Sequence, residues 1–510
     1  MNRKIWIIGI VCLGLSLCGF YKSDAVYADD SNEATKITEE AEDTVEEELS
    51  FEEDEVGFAE IEIDIKKTES VSQGESYFNV GGFIKEEIDY SHAYDEPDFS
   101  KLRTTLNIKL DMKLNPDWLA KIYWNGFYDY SYEHRGRDEF TDETLETHET
   151  ESEFRDFYID GGLTDWFRVK FGRQFIVWGQ SDSSQITDVA NPRDIRELGM
   201  VDLEDARIPV AATKLSFLFG SVELNTVAIH EIRGNKIPGA GSEFDLYQGL
   251  STMGITIDDE EIPESNGENT EYLVRLFKTF NGGDIGIMWA DHYNDSAYLD
   301  FKELYISALT GEVALTVVPK HKRVQTYGVS GVVVFDSWLF KTEIAQIKNA
   351  AVLRGDIENQ LTTAFSTAFA TGTFYFDEDS NIIKSWSEKD ILQGMIGVEY
   401  SGIEDVTIGF EAMGEQIEDY EENLYSDEVS GQLALIITHT AFNNTLDSQF
   451  FWIHFNDDNG DVYRVNIGYD IRDALNVSGG FIAYEATNEE ATVYNYRNND
   501  RIFVSLKYSF

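Results

Sequence analysis

Between residues 102 and 114 the chain alternates in character almost without a break. Leu102, Thr104, Leu106, Ile108, Leu110, Met112 and Leu114 fall on one parity, and Arg103, Thr105, Asn107, Lys109, Asp111 and Lys113 on the other. A period of two marks a β-strand with one apolar and one polar face. These 13 residues exceed the ~5–6 of a typical soluble strand and suit a tilted strand crossing a bilayer. Asn115-Pro116-Asp117-Trp118 then turns the chain, and Ala120, Ile122, Trp124, Gly126 and Tyr128 resume the alternation. The same junction recurs at Asp165-Trp166 and Asp336-Ser337-Trp338, and further short turns fall at 219–221, 281–283, 401–405, 441–445 and 471–475. Asp is a good turn former, and Trp behind it sits where an aromatic meets a membrane interface.

Longer connections alternate with these turns, roughly at 91–99, 133–152, 180–208, 232–270, 294–322, 350–389, 417–428, 456–461 and 487–499. The pattern predicts an all-β transmembrane antiparallel barrel over residues 76–510, with short periplasmic turns and long extracellular loops. Eighteen strands are expected, with sixteen as the alternative. The count turns on residues 294–335, where 304–309 and 312–318 form either a hairpin inside a loop or two more wall strands. All seven prolines lie in connections or at their margins, as a ladder that needs every N–H requires.

Residues 1–28 have the form of a signal peptide: basic Arg3 and Lys4, an apolar run to Phe20, and small residues before a cleavage site at Ala28. Both cysteines, Cys12 and Cys18, lie in this segment. Residues 29–75 read as an acidic, disordered periplasmic segment, with 15 acids and one Lys between 29 and 60.

Over 510 residues there are 95 acidic and 40 basic side chains, a formal charge of −55. That excludes nucleic acid as a partner. No apolar run beyond the N-terminus is long enough for a membrane helix. The acids concentrate in the expected loops; residues 133–153 alone carry nine, against two Arg. No cofactor is implied beyond Ca²⁺ held loosely by the acidic loops, since no calcium-loop spacing is present. Many bases lie on strands in the polar register, among them Arg103, Lys109, Arg168 and Lys170, which are expected to line the lumen wall.

The most distinctive local sequence is Gly172-Arg173-Gln174-Phe175-Ile176-Val177-Trp178-Gly179-Gln180, followed by Asp188-Val189-Ala190-Asn191-Pro192-Arg193-Asp194-Ile195-Arg196-Glu197. Mixed charges in so short a stretch suit a loop folded into the pore near 180–208. The expected pore or constriction residues are Arg173, Gln174, Asp188, Asn191, Arg193, Asp194 and Arg196. A second reading has these charges pair with each other and brace the loop against the wall. Parity also opposes a lumenal Arg173: if Arg168 and Lys170 face the lumen, Arg173 faces lipid unless Gly172 bends the strand.

This stretch resembles a largely uncharacterised family of bacterial outer-membrane β-barrel porins and, more distantly, porins of the alginate-export type. The resemblance implies an outer-membrane channel in a Gram-negative cell, and it implies no particular solute. The final strand, Ile502, Val504, Leu506, Tyr508 and Phe510 against Phe503, Ser505, Lys507 and Ser509, resembles the C-terminal signal read by the outer-membrane barrel assembly machinery. Tyr508 and Phe510 would carry that signal. Lipid and lipopolysaccharide are the other expected partners, and the oligomeric state is left open.

An enzyme is not expected. The eight His are scattered, with no His-x-x-x-His and no Gly-x-Ser-x-Gly. The expected function is passage of small polar or charged solutes through a water-filled lumen. The alternatives are a dedicated exporter or importer of one anionic polymer or organic acid, and a loop-plugged surface binding barrel.

Overall fold

The computed structural model describes residues 77–92, 98–200, 206–247, 254–307, 313–377, 384–456, 460–488 and 493–510, with the single positions 250, 309, 310 and 491. The expected signal peptide and the acidic segment lie outside these residues.

Eighteen antiparallel strands form one sheet. The first, Tyr77–Ser91, pairs with both the second, Asp98–Asn115, and the last, Arg501–Ser509, so the sheet closes on itself. Closure removes every free edge, as a wall immersed in hydrocarbon requires. The seam runs to the final residue: Gly82 N donates to Phe510 O at 2.9 Å, and Phe510 N returns a bond to Gly82 O at 2.9 Å.

Alternation now reads as two faces. On the last strand Ile502, Val504, Leu506, Tyr508 and Phe510 are exposed, whereas Arg501, Phe503 and Ser505 are buried. Ile84 and Ile88, Ile285 and Ile287, and Phe340 and Ile344 repeat this outward pattern round the wall. So large an exposed apolar surface would drive aggregation in water; here it is the lipid-facing belt of an outer-membrane barrel.

At the short-turn end, Asp336 adopts a left-handed conformation (φ 53°) to reverse the chain before Trp338. The Trp338 ring lies 4.5 Å from Tyr400, and Trp166 stacks near Phe217 and Phe219 at 6.3 and 6.4 Å. These rings form an interfacial aromatic girdle.

The wall has eighteen strands, and Tyr298–Ser307 and Val313–Lys320 do not join it. Tyr298–Ser307 and Val313–Lys320 form a hairpin that belongs to a separate four-stranded sheet with Thr373–Asp377 and Ile255–Ile257. Leu304, Ile306, Leu315, Val317 and Phe376 pack there with Ala364 and Ala368 of the helix Ile357–Thr371. The hairpin has a partner on either side within the loops, so its apolar face is buried without the wall. It caps the long-connection end.

Candidate functional site

The fifth wall strand, Phe167–Gln174, ends where Gly172 takes φ 123°, a conformation other residues rarely adopt. A Cβ at Gly172 would also meet the Phe157 carbonyl at 2.2 Å. Beyond this bend the chain leaves the wall at Phe175 and rejoins it at Val210–Phe219.

The junction is held by buried polar groups. The Gln174 amide donates to the carbonyls of Gly172 at 3.1 Å and Ala212 at 3.0 Å. Asn191, with no exposed surface, ties the two limbs together: its Oδ1 accepts from Ile176 N at 2.7 Å and its Nδ2 donates to Ile208 O at 2.8 Å. Asp188 accepts from Arg193 at 2.6 Å and from Arg207 at 2.9 Å. Burial pushes the Asp188 carboxyl up, but Arg207 and Arg193 outweigh it and hold it below the usual carboxylate range. Ile176, Trp178 and Ala190 pack on the inward faces of neighbouring strands, against Val210, Val227, Leu273 and Met288.

The tip of the segment reaches strands far round the wall. Glu343, on Trp338–Leu353, accepts from Gln180 N, from Ser181 N at 2.6 Å, from Thr187 N at 2.8 Å and from Thr187 Oγ1 at 2.5 Å. Glu411, on Val406–Ile417, accepts from Ser181 Oγ at 2.9 Å, Asp182 N at 2.9 Å, Ser183 N at 3.0 Å and Ser183 Oγ at 2.5 Å. Gln432 donates to Ser183 O at 3.0 Å and to Ser184 Oγ at 2.7 Å. Lys341 sits among three carboxylates, paired with Asp182 and lying 2.8 Å from both Glu399 and Glu411. Ile186 completes the contact against Ala345, Met395 and Met413. Carboxylates this buried persist because each is densely hydrogen-bonded.

The returning limb lines a recess of about 590 Å³, its open mouth included. Lys85, Lys101, Arg103, Arg155 and Arg196 meet Glu87, Glu151, Asp194 and Glu197 there, beside Phe127 and His148. Glu197 pairs with Lys101 and with Arg103 at 2.6 Å, and Arg103 also reaches Asp129 at 3.2 Å. Arg196 pairs with Asp194 and with Glu151 at 2.7 Å. Burial works against ionisation of Glu197, yet Arg103 and Lys101 hold its carboxyl well below the usual range. The Phe127 ring lies 4.2 Å from the Arg103 guanidinium and 5.8 Å from that of Arg196. Burial pulls the His148 imidazole down to about 4, and its Nε2 accepts from Gly239 N at 3.2 Å.

The expected pore residues therefore divide into three groups. Gln174, Asp188, Asn191 and Arg193 are buried at the junction, where they brace the segment. Asp194 and Arg196 face the recess with Arg103. Arg173 stands apart: it pairs across the sheet with Phe157 and shares the register of the exposed Phe171. It bonds Glu231 and the Phe154 carbonyl and lies 3.7 Å from Glu153, on the outward register its parity gives it. On the wall, Arg168 pairs with Asp160 at 3.2 Å, Lys170 lies 4.0 Å from the Tyr158 ring and Lys109 lies 5.4 Å from that of Tyr123.

The sequence alone does not mark Glu343, Glu411, Ser181 and Ser183 as anchors. Each acid sits on the polar parity of its strand, as other lumenal acids do, and nothing local ties it to Ser181-Asp182-Ser183-Ser184. Among the described residues, no group of three or more His, Cys, Asp or Glu is placed to hold a metal ion.

Several solved outer-membrane barrels resemble this fold. Acinetobacter baumannii OccAB4 matches at 9% identity and TM-score 0.47, over 86% of this chain and 99% of that one. Pseudomonas aeruginosa OpdK matches at 6% and 0.45, over 85% and 99%. Salmonella typhi OmpF, solved with daunomycin, matches at 8% and 0.39, over 85% and 97%. None of these three speaks to the expected likeness to alginate-export porins. Comparison with curated proteins finds no match. Residues 89–510 match the family described as Protein of unknown function (DUF1302), and the chain belongs to that family.

Proposed function

We propose that this protein is an outer-membrane channel passing small polar or charged solutes, with the segment 175–208 narrowing its lumen. The observation that carries this reading is the bridging of the segment from the fifth wall strand to the inward carboxylates Glu343 and Glu411. A barrel of eighteen strands is too wide for side chains to fill, so a segment held across it sets the passage.

The recess supplies the chemistry a passing solute would meet. Five cationic and four anionic side chains converge there, so a charged solute finds both signs at close range and a transverse field between them. Because these groups already pair with one another, a solute would exchange with them at low affinity, as passage requires. Small anions and zwitterions are the solutes this set accommodates best.

The test is the purified protein in planar bilayers, recording single-channel conductance and the reversal potential in a salt gradient. Steady conductance with weak selectivity is expected. Absence of conductance under all conditions would overturn the channel and favour the loop-plugged binding barrel, for which the sheet and helix capping the long-connection end are the favouring observation.

A further inference from the structure

Charges on the outward register mostly keep to the rims. Asp291 and Arg323 pair at 2.7 Å, and Lys348 and Asp390 at 2.7 Å, near the long-connection ends of their strands. Glu86 breaks this rule. It faces outward from Tyr77–Ser91 between the exposed Ile84 and Ile88, and pairs across the seam with the exposed Leu506, midway along the last strand. Its hydrogen-bond partner is Thr104, whose hydroxyl lies 3.0 and 2.8 Å from the two carboxylate oxygens. A carboxylate set in an apolar belt is costly and marks a place where something other than hydrocarbon meets the wall.

The surroundings are shaped for contact. On the adjoining strands Trp124 lies flat over Gly126, so that a Cβ there would sit 2.8 Å from its ring carbons. Its Nε1 donates to Ser152 Oγ at 3.1 Å. The Ser152 hydroxyl accepts that bond and keeps its own proton to give. One low-relief patch thus holds an acceptor rich in lone pairs, Glu86, and a hydroxyl donor, Ser152, framed by apolar side chains. An isologous contact needs such a set, because each residue meets its counterpart's complement across a two-fold axis.

We propose that the outer face of the strands Tyr77–Ser91, Asp98–Asn115, Trp118–Asp129 and Thr150–Thr164 is a contact surface for a second copy of this chain, with the two-fold axis passing between Glu86 and Ser152. The proposal rests on the barrel and not on conduction through it.

Site-directed cross-linking in outer membranes tests it, in the full chain carrying Cys12→Ser and Cys18→Ser. Leu106→Cys places a thiol within the patch, beside Ile84 and Gly126. Ile396→Cys places one on the twelfth wall strand, Trp386–Ile403, as an outward-facing control that is the more exposed of the two. A short bis-maleimide should give a covalent homodimer from Leu106→Cys and at most a tenth as much from Ile396→Cys. Adding Glu86→Leu should lower the Leu106→Cys dimer several-fold while leaving the heat-modifiable monomer intact. Equal yields at both sites, no product at either, or a product containing a different protein would each overturn the proposal. A Glu86→Leu chain that dimerises undiminished would overturn the role of Glu86.

Discussion

Thr187 and Glu343, 156 positions apart in sequence, meet through two hydrogen bonds, from Thr187 N at 2.8 Å and from its hydroxyl at 2.5 Å. With Gln180 and Ser181, Thr187 makes Glu343 the acceptor for four donors on residues 180–187, which form neither helix nor strand. Replacing Glu343 by Ala strands those donors. The barrel should survive with the segment loosened, at a cost of about 3–5 kcal/mol, seen as a lower thermal midpoint. Single-channel records should become noisier, with a larger mean conductance. Unchanged records would mean that the segment does not limit passage.

Arg196 and Arg173 are close in sequence but differ in setting, and a pair of substitutions separates them. Arg196→Ala removes a positive charge from the recess and should shift the reversal potential toward cation selectivity. Arg173→Ala acts on the outward register and should leave selectivity unchanged, costing about 0–1 kcal/mol as a partly exposed ion pair. Reversal potentials of the two variants in the same salt gradient decide the matter.

His148 gives a pH dependence whose sign follows from its burial. Its folded-state affinity for protons lies below that of the unfolded chain, from an ordinary 6.5 down to about 4. The unfolded state therefore binds more protons in between, and stability falls as pH drops from 6.5 toward 4. The loss is on the order of 3 kcal/mol, borne by the loop region around the helix Asp142–His148. Hydrogen exchange of that region at pH 7.5 and 4.5 should show the loss, and His148→Gln should abolish it.

The seam yields a prediction about assembly. Phe510 closes the ladder through reciprocal bonds with Gly82 and lies exposed on the lipid face beside Tyr508. Deleting Phe510, or replacing both aromatics by Ala, should sharply lower the amount of heat-modifiable barrel in the outer membrane without changing synthesis. Undiminished yield would show that the terminal aromatics carry no assembly signal.

Legibility in the sequence followed the range of the interactions. The wall could be read because alternation is local: each of residues 102–114 declares its face through its neighbours. The outward register of Arg173 was legible by parity, although the charged motif around it drew it into the expected pore set. The hairpin Tyr298–Ser307 and Val313–Lys320 was ambiguous because a strand buried in a cap and one in the wall carry the same pattern. Its place was decided by Thr373–Asp377 and Ile255–Ile257, distant strands whose pairing no local signal reveals. The anchors Glu343 and Glu411 were illegible for the same reason. Each looks like any lumenal acid until Ser181 and Ser183 arrive from more than 150 residues away.

The bridge from the fifth strand to Glu343 and Glu411 has a mechanical consequence. A thin hoop of hydrogen-bonded ribbon can flatten under lateral pressure, since tilting its strands changes little else. A spoke pinned at both ends fixes one chord of that hoop, and distortion along it must break buried charge-assisted bonds. The cross-section at that depth is thereby set by the chain itself, and changes in bilayer tension should leave it unaltered.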